Sequence, residues 1–203
     1  MAKNIKLFFN KNLKNILIIL LSLFLVLLFL GKVLIEQNKN ILNKNNECPI
    51  KMEERIVQGT SMEPVIKEGQ KVKILFDYYK CHPILREDII LYRYSGNENP
   101  LIKRVKGVEG DDFKLKEQKE GWLIYINNQP LKNSLGQYYL LNERSYRLLS
   151  LYERDYKGKI PEGAYLILGE DPYGSLDSTR FGFVSKDDIL GKVIYENKRQ
   201  FKK

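Results

Sequence analysis

Leu101-Ile102-Lys103-Arg104-Val105-Lys106-Gly107-Val108-Glu109-Gly110-Asp111 begins as a strand and ends as a turn. With a strand's two-residue period, Leu101, Lys103 and Val105 share one face, and Ile102, Arg104 and Lys106 share the other. Lys103 therefore stands between two apolar neighbours. Burial disfavours an ammonium and lowers its pKa, and a neutral amine can take a proton from a serine hydroxyl. A lysine on an edge strand can equally snorkel to water. This stretch alone leaves both readings open.

Outward from it, runs at 72–76, 89–94, 122–126 and 165–168 also read as strands, and Asn127-Asn128 reads as a hairpin turn. Thirteen Tyr and nine Phe suit sheet packing. Residues 140–156 read as a loop or a short helix. The expected class is mainly β, an antiparallel core. No internal repeat and no Gly-rich phosphate loop is present, so nucleotide chemistry is not indicated. Two Cys and one His do not fill a four-ligand zinc site without carboxylates or a second chain. Any His-dependent mechanism rests on His82.

The 203 residues suit one domain with an appendage. The net charge of +9 is unevenly spread. Lys3, Lys6, Lys11, Lys14 and Lys32 face no acid within residues 1–35, and the remainder is only mildly basic. No basic stripe with interleaved aromatics indicates nucleic acid. From 16 to 35 the chain is apolar except for Ser22, Gly31 and Lys32. Twenty helical residues rise about 30 Å, enough for a hydrocarbon core. No small-x-small cleavage site follows, so the reading is an uncleaved membrane anchor rather than a signal peptide. The lysines before it place residues 1–15 in the cytoplasm and the C-terminal domain outside. Residues 36–47, rich in Asn and Lys, read as a linker, and 48–203 as the folded domain.

Two more segments carry candidate chemistry. Gly59-Thr60-Ser61-Met62-Glu63-Pro64 holds a serine between a strand end and a Pro-bearing turn. By itself it reads as a turn serine. It lacks the last Gly of a G-x-S-x-G elbow, and His82 with Asp77 poorly supports a Ser-His-Asp arrangement. Gly169-Glu170-Asp171-Pro172-Tyr173-Gly174-Ser175-Leu176-Asp177-Ser178-Thr179-Arg180-Phe181-Gly182 is a long polar loop after an apolar strand. Such loops often carry function. Ser175, Asp177 and Arg180 are expected to cluster there, with a solvated hairpin as the alternative.

Together these segments resemble the type I signal peptidases. Gly59-x-Ser61-Met62-x-Pro64 is similar to the family's nucleophile box, and Arg86-Glu87-Asp88-Ile89-Ile90 to the strand box after it. Lys103-Arg104-x-x-Gly107-x-x-Gly110-Asp111 resembles the lysine box, and residues 169–182 the last box. The resemblance covers about residues 14–195. It implies a membrane-anchored serine endopeptidase that cleaves secretory preproteins after a small-x-small motif, with no metal or cofactor. It assigns Ser61 as nucleophile and Lys103 as general base. Ser175 would orient the lysine amine, Asp177 would be a structural carboxylate, and Arg104 a support beside the lysine. Gly59, Met62 and Pro64 would border the substrate and oxyanion region. A variable second β region is expected at 127–160.

Several positions depart from the family pattern. Glu87 stands where Gly is usual, Glu109 where Pro is, and Glu170-Asp171 where Asp-Asn is. Thr179 occupies the usual Arg position, with Arg180 one residue late, so an Asp177–Arg contact is in question. Two alternatives remain beside a general signal peptidase: a narrow-specificity maturation peptidase, and a catalytically silent membrane-bound binding module. Outside a membrane, cysteines can pair. If the chain around Ser61 forms a hairpin centred near residue 64, Cys48 and Cys81 fall opposite each other. A Cys48–Cys81 disulfide and two free thiols are the two readings.

Overall fold

The computed structural model describes residues 24–34, 36, 48–95 and 99–196. Contacts divide the chain into two units, 1–47 and 48–203. In the first, residues 24–34 are helical, and Phe24, Leu27 and Phe29 are among its exposed apolar side chains. Among the described residues, no helix is long and apolar enough to cross a membrane. Residues 16–23 and 35 of the expected anchor, all of 1–15, and 37–47 of the linker lie outside the described residues.

The second unit is built on antiparallel sheets. Its large sheet uses β1 (Lys51–Ile56), β2 (Lys71–Phe76), β3 (Ile89–Tyr92) and β4 (Leu101–Gly107). The second sheet uses β5 (Phe113–Gln118), β6 (Gly121–Ile126), β7 (Gln129–Pro130) and β8 (Leu140–Leu141). Helix α1 (Glu143–Asp155) follows, then β9 (Ala164–Leu168), helix α2 (Ser178–Phe181), β10 (Val184–Ser185) and β11 (Ile189–Ile194). The large sheet runs β1-β2-β11-β3-β4-β9-β10, so the last long strand inserts between β2 and β3.

Side-chain alternation explains how this sheet is covered. On β2, Val72 and Ile74 are buried while Lys71 and Lys73 are exposed. On central β3 all four residues are buried. Ile90 and Tyr92 join one apolar cluster with Val105 and Ile167, and Ile89 and Leu91 join another with Met62 and Ile66. Strand β9 divides in the same way. Tyr165 and Ile167 pack in the first cluster, and Leu166 and Leu168 pack under the second sheet with Phe113 and Ile124. Both faces of the large sheet are thus buried near its centre, which brings β4 into the interior.

The five expected strands are present, with ends shifted by up to two residues. Asn127 and Asn128 both take positive φ and join β6 to β7 as a two-residue hairpin turn. The second region begins at Phe113, earlier than the expected 127, because β5 pairs along its whole length with β6. Residues 140–156, read as loop or short helix, hold β8 and the 13-residue α1. Asn142 caps α1 by accepting from Ser145 N–H, Leu149 is fully buried, and Tyr146 stacks on Trp122 at 4.1 Å.

Candidate active site

Residues 57–70 connect β1 to β2 and carry Ser61. Val57 N–H donates to Gln70 O, and Gly69 N–H donates to Val57 O, closing the base of this connection. Met62 and Ile66, both buried, anchor its middle, and Glu63 N–H donates to Thr60 O at 2.9 Å. The Glu63–Pro64 peptide is cis, and Gly59 has φ +83°. Ser61 is left half-buried beside the core.

The 169–182 loop meets this turn from the other side. Glu170 N–H donates to Ser61 O at 2.7 Å. A Cβ on Gly169 would lie 2.8 Å from Ser61 O and collide with Ser175, so only glycine allows this approach. Tyr139 donates its hydroxyl to Gly169 O at 2.7 Å, and Asn133 Nδ2 donates to Glu170 O at 2.9 Å. The second sheet region thereby supports the loop that holds the serine.

Lys103, on β4 opposite Ile90, is 2% exposed. Its Nζ donates to Ser61 Oγ at 2.8 Å and to Ile102 O at 2.8 Å. Burial lowers its pKa from the ordinary 10.5 to about 8, with Asp177 pulling the other way. Of the two readings of Lys103, the buried amine is the one this structure has.

Three further expectations meet different geometry. Ser175 Oγ is buried without a hydrogen-bond partner, so the expected bond from Ser175 to the lysine amine is not made. Asp177 Oδ2 accepts from Gly169 N–H at 2.9 Å, while Oδ1 accepts from Thr179 N–H at 3.0 Å and Thr179 Oγ1 at 2.8 Å. The Arg180 side chain is not among these partners; it is exposed, because the late arginine starts from the outer side of α2. The expected Ser175–Asp177–Arg180 cluster is therefore replaced by a carboxylate tied to its own loop.

Arg104 points away from Lys103, as strand alternation requires. Its Nε donates to Glu170 Oε1 at 2.6 Å, and its Nη1 donates to Glu87 O at 3.2 Å. The Glu170 side chain is wholly buried, and Oε2 accepts from Ser134 N–H at 2.8 Å. Burial pushes the Glu170 carboxyl up, but Ser134 N–H and the Arg104 guanidinium outweigh it and hold it below its usual value. Glu87 adopts φ 71°, a conformation that favours glycine, and its carboxylate accepts from Lys106 Nζ at 2.9 and 3.1 Å. Glu109 accepts from Gly163 N–H.

Sequence reasoning missed the parts played by Glu170, Glu87, Asn133 and Thr179. One signal was available. An arginine next to a buried lysine on a central strand needs a carboxylate, and Glu170 directly follows the apolar strand 165–168. His82 stacks on Tyr78 at 4.1 Å with Nδ1 3.0 Å from Tyr78 O. Cys48 and Cys81 are joined by a disulfide. The β1–β2 register, Lys51 opposite Phe76 and Ile56 opposite Lys71, brings them together. A cleft of about 770 Å³ runs between β1 and β4; Ile56, Val57, Ser61, Met62, Ile102 and Lys103 are among its lining.

The family model described as "Signal peptidase, peptidase S26" matches residues 49–196. The chain belongs to this family. Signal peptidase I of Bacillus caldolyticus is 32% identical over 143 residues, 69% of this chain and 76% of that protein. Signal peptidase IB of Staphylococcus aureus strain N315 is 30% identical over 149 residues, 68% of this chain and 74% of that protein. A solved signal peptidase I from Enterococcus faecalis V583, 25% identical, aligns with a TM-score of 0.40 over 55% of this chain and 97% of its own. As a member, this chain is a signal peptidase, an enzyme that removes signal peptides.

Proposed function

We propose that this signal peptidase works by a serine–lysine dyad: Ser61 is the nucleophile and Lys103 its general base. One observation carries the reading. A lysine that is 2% exposed, with its pKa lowered to about 8, lies 2.8 Å from a half-buried serine hydroxyl. Neutral Lys103 accepts the Ser61 proton as Oγ attacks the scissile carbonyl. The ammonium then gives that proton to the leaving amine, and water hydrolyses the acyl-enzyme. Ser61 N–H is a candidate donor to the oxyanion. Gly59 N–H is engaged by Glu68 Oε1 at 3.1 Å, so it is not a free second donor. Asp177 and Arg104 act through the loops and strand they hold.

The substrate is an exported preprotein, laid in the cleft between β1 and β4 and cut after a small-x-small motif. Residues 16–35 are the membrane anchor, with 1–15 cytoplasmic and the catalytic domain outside. The test is cleavage of a preprotein by detergent-solubilised full-length protein, beside Ser61→Ala and Lys103→Ala. Cleavage after a small-x-small site, lost in both variants, supports the dyad. Activity that survives Lys103→Ala refutes the base. For the anchor, protease added outside sealed cells should digest the C-terminal domain; digestion only from the cytoplasmic side refutes the topology.

A further inference from the structure

Asp177 is 2% exposed, and its Oδ2 accepts from the N–H of Gly169, which lies against the backbone of Ser61, the residue whose hydroxyl Lys103 meets; from there its charge pulls the lysine pKa upward. The other groups around the amine leave this charge unopposed. Ser61 and Ser175 are neutral, and Arg104 is turned to Glu170 and Glu87. The Tyr139 hydroxyl, held protonated by burial, donates to Gly169 O. Asp177 itself meets no cation in its own loop. Its oxygens accept from Gly169 N–H, Thr179 N–H and the Thr179 hydroxyl. Arg180, the nearest arginine in sequence, is exposed and lines a separate cleft of about 590 Å³ with Arg144 and Thr179.

We propose that Thr179 is a positioning residue: it fixes Asp177 by hydrogen bonds alone, so no cation cancels the carboxylate behind Ser61, and that uncancelled charge sets the pH range of the reaction. The proposal rests on the Ser61–Lys103 reading. A cation at 179 would neutralise Asp177 and repel the lysine, and both effects favour the neutral amine. The hydroxyl instead satisfies the buried carboxylate without cancelling its charge.

The test uses the full-length protein in detergent and two readouts. One is the titration of Lys103, followed by NMR of ε-¹³C-labelled lysine and assigned by its loss in Lys103→Met. The other is the pH profile of kcat/KM for preprotein cleavage. In Thr179→Arg the Lys103 midpoint should fall from about 8 to about 7, and cleavage at pH 7 should rise roughly fivefold. Thr179→Ser, which keeps the hydroxyl, should match the wild type. Thr179→Val, which leaves the carboxylate one donor short, should move the midpoint upward, and it carries the test if Thr179→Arg does not fold. Equal midpoints in the folded variants overturn the proposal. Midpoints that move as stated while cleavage proves independent of Lys103 uphold the role of Thr179 and refute the dyad.

Discussion

Lys103 and Arg104 are neighbours on β4, both withdrawn from water, and their surroundings are opposite. On one side Lys103 meets a serine hydroxyl and a backbone carbonyl. On the other, Arg104 meets the buried Glu170, and Lys106 meets both oxygens of Glu87. The contrast teaches that burial alone does not make a base. A buried cation with a carboxylate at contact distance keeps its charge, whereas one facing neutral oxygens is pushed toward the neutral form. Desolvation outweighs the pull of Asp177 at Lys103, so its proton is easily lost.

The largest expected effect comes from removing the two β4 lysines in turn. Lys103→Ala should lower preprotein cleavage by about a thousandfold or more, as loss of a general base does. Lys106→Met, on the paired side, should leave kcat/KM within about threefold of wild type, since the Lys106 amine bonds Glu87 and touches neither Ser61 nor Lys103. Equal losses in both variants would erase the distinction between the two sides.

Next in size is the ion pair behind the lysine. Glu170→Gln keeps an acceptor for Ser134 N–H but strips the charge facing a guanidinium that is 12% exposed. Unfolding by urea should show a loss of about 3 kcal/mol. The lysine side should respond in the opposite sense. Unfolded, Lys103 holds its proton up to about 10.5; folded, only up to about 8. Between those values the unfolded chain binds more protons, so this group makes stability rise with pH across that window. Below about 8 the full penalty stands, on the order of 3 kcal/mol. Lys103→Met should therefore be more stable than wild type at pH 7, and the gap should close by pH 10.5. A gap that stays constant with pH would mean the amine is not desolvated.

The same contrast explains what the sequence made legible. Alternation put Lys103 between Leu101 and Val105 without deciding its burial, and the Ser61 turn by itself read as an ordinary turn; the pairing of the two came from the resemblance of the four segments taken together. Strand β3 was plain because all four of its residues are apolar or aromatic. Strand β1 was not, since nearly every residue of Lys51–Ile56 is exposed on a sheet edge. Strand β5, with Lys114, Lys116 and Glu117, is defined by its register with β6 rather than by its own pattern. The supporting charges were hidden for a related reason. Arg104 and Glu170 are 66 residues apart, and only the β4–β9 pairing, Arg104 opposite Leu168, brings them together. Alternation within a strand is local information; the partner of a buried charge is not.

The smallest effect sharpens the comparison on the paired side. Glu87 carries two opposing contributions at one position. Its φ of 71° is strained for a residue with a Cβ, by about 1 kcal/mol. Its carboxylate, with a side chain 53% exposed, compensates by pairing with Lys106, and such a half-exposed pair is worth about 1 kcal/mol. Glu87→Gly should then change stability by less than about 0.5 kcal/mol, because strain relief and lost pairing cancel. In a Lys106→Met background only the longer contact from Arg104 Nε to Glu87 Oε2, at 3.6 Å, is left to lose, so the same substitution should stabilise, by up to about 1 kcal/mol. The bond from Arg104 Nη1 to Glu87 O is to backbone and survives in both. A double-mutant cycle from urea unfolding measures the difference directly. Zero coupling would show that Lys106 needs no counter-charge from Glu87, leaving the contacts of Arg104 with Glu170 and Glu87 to separate this side of β4 from the side of Lys103.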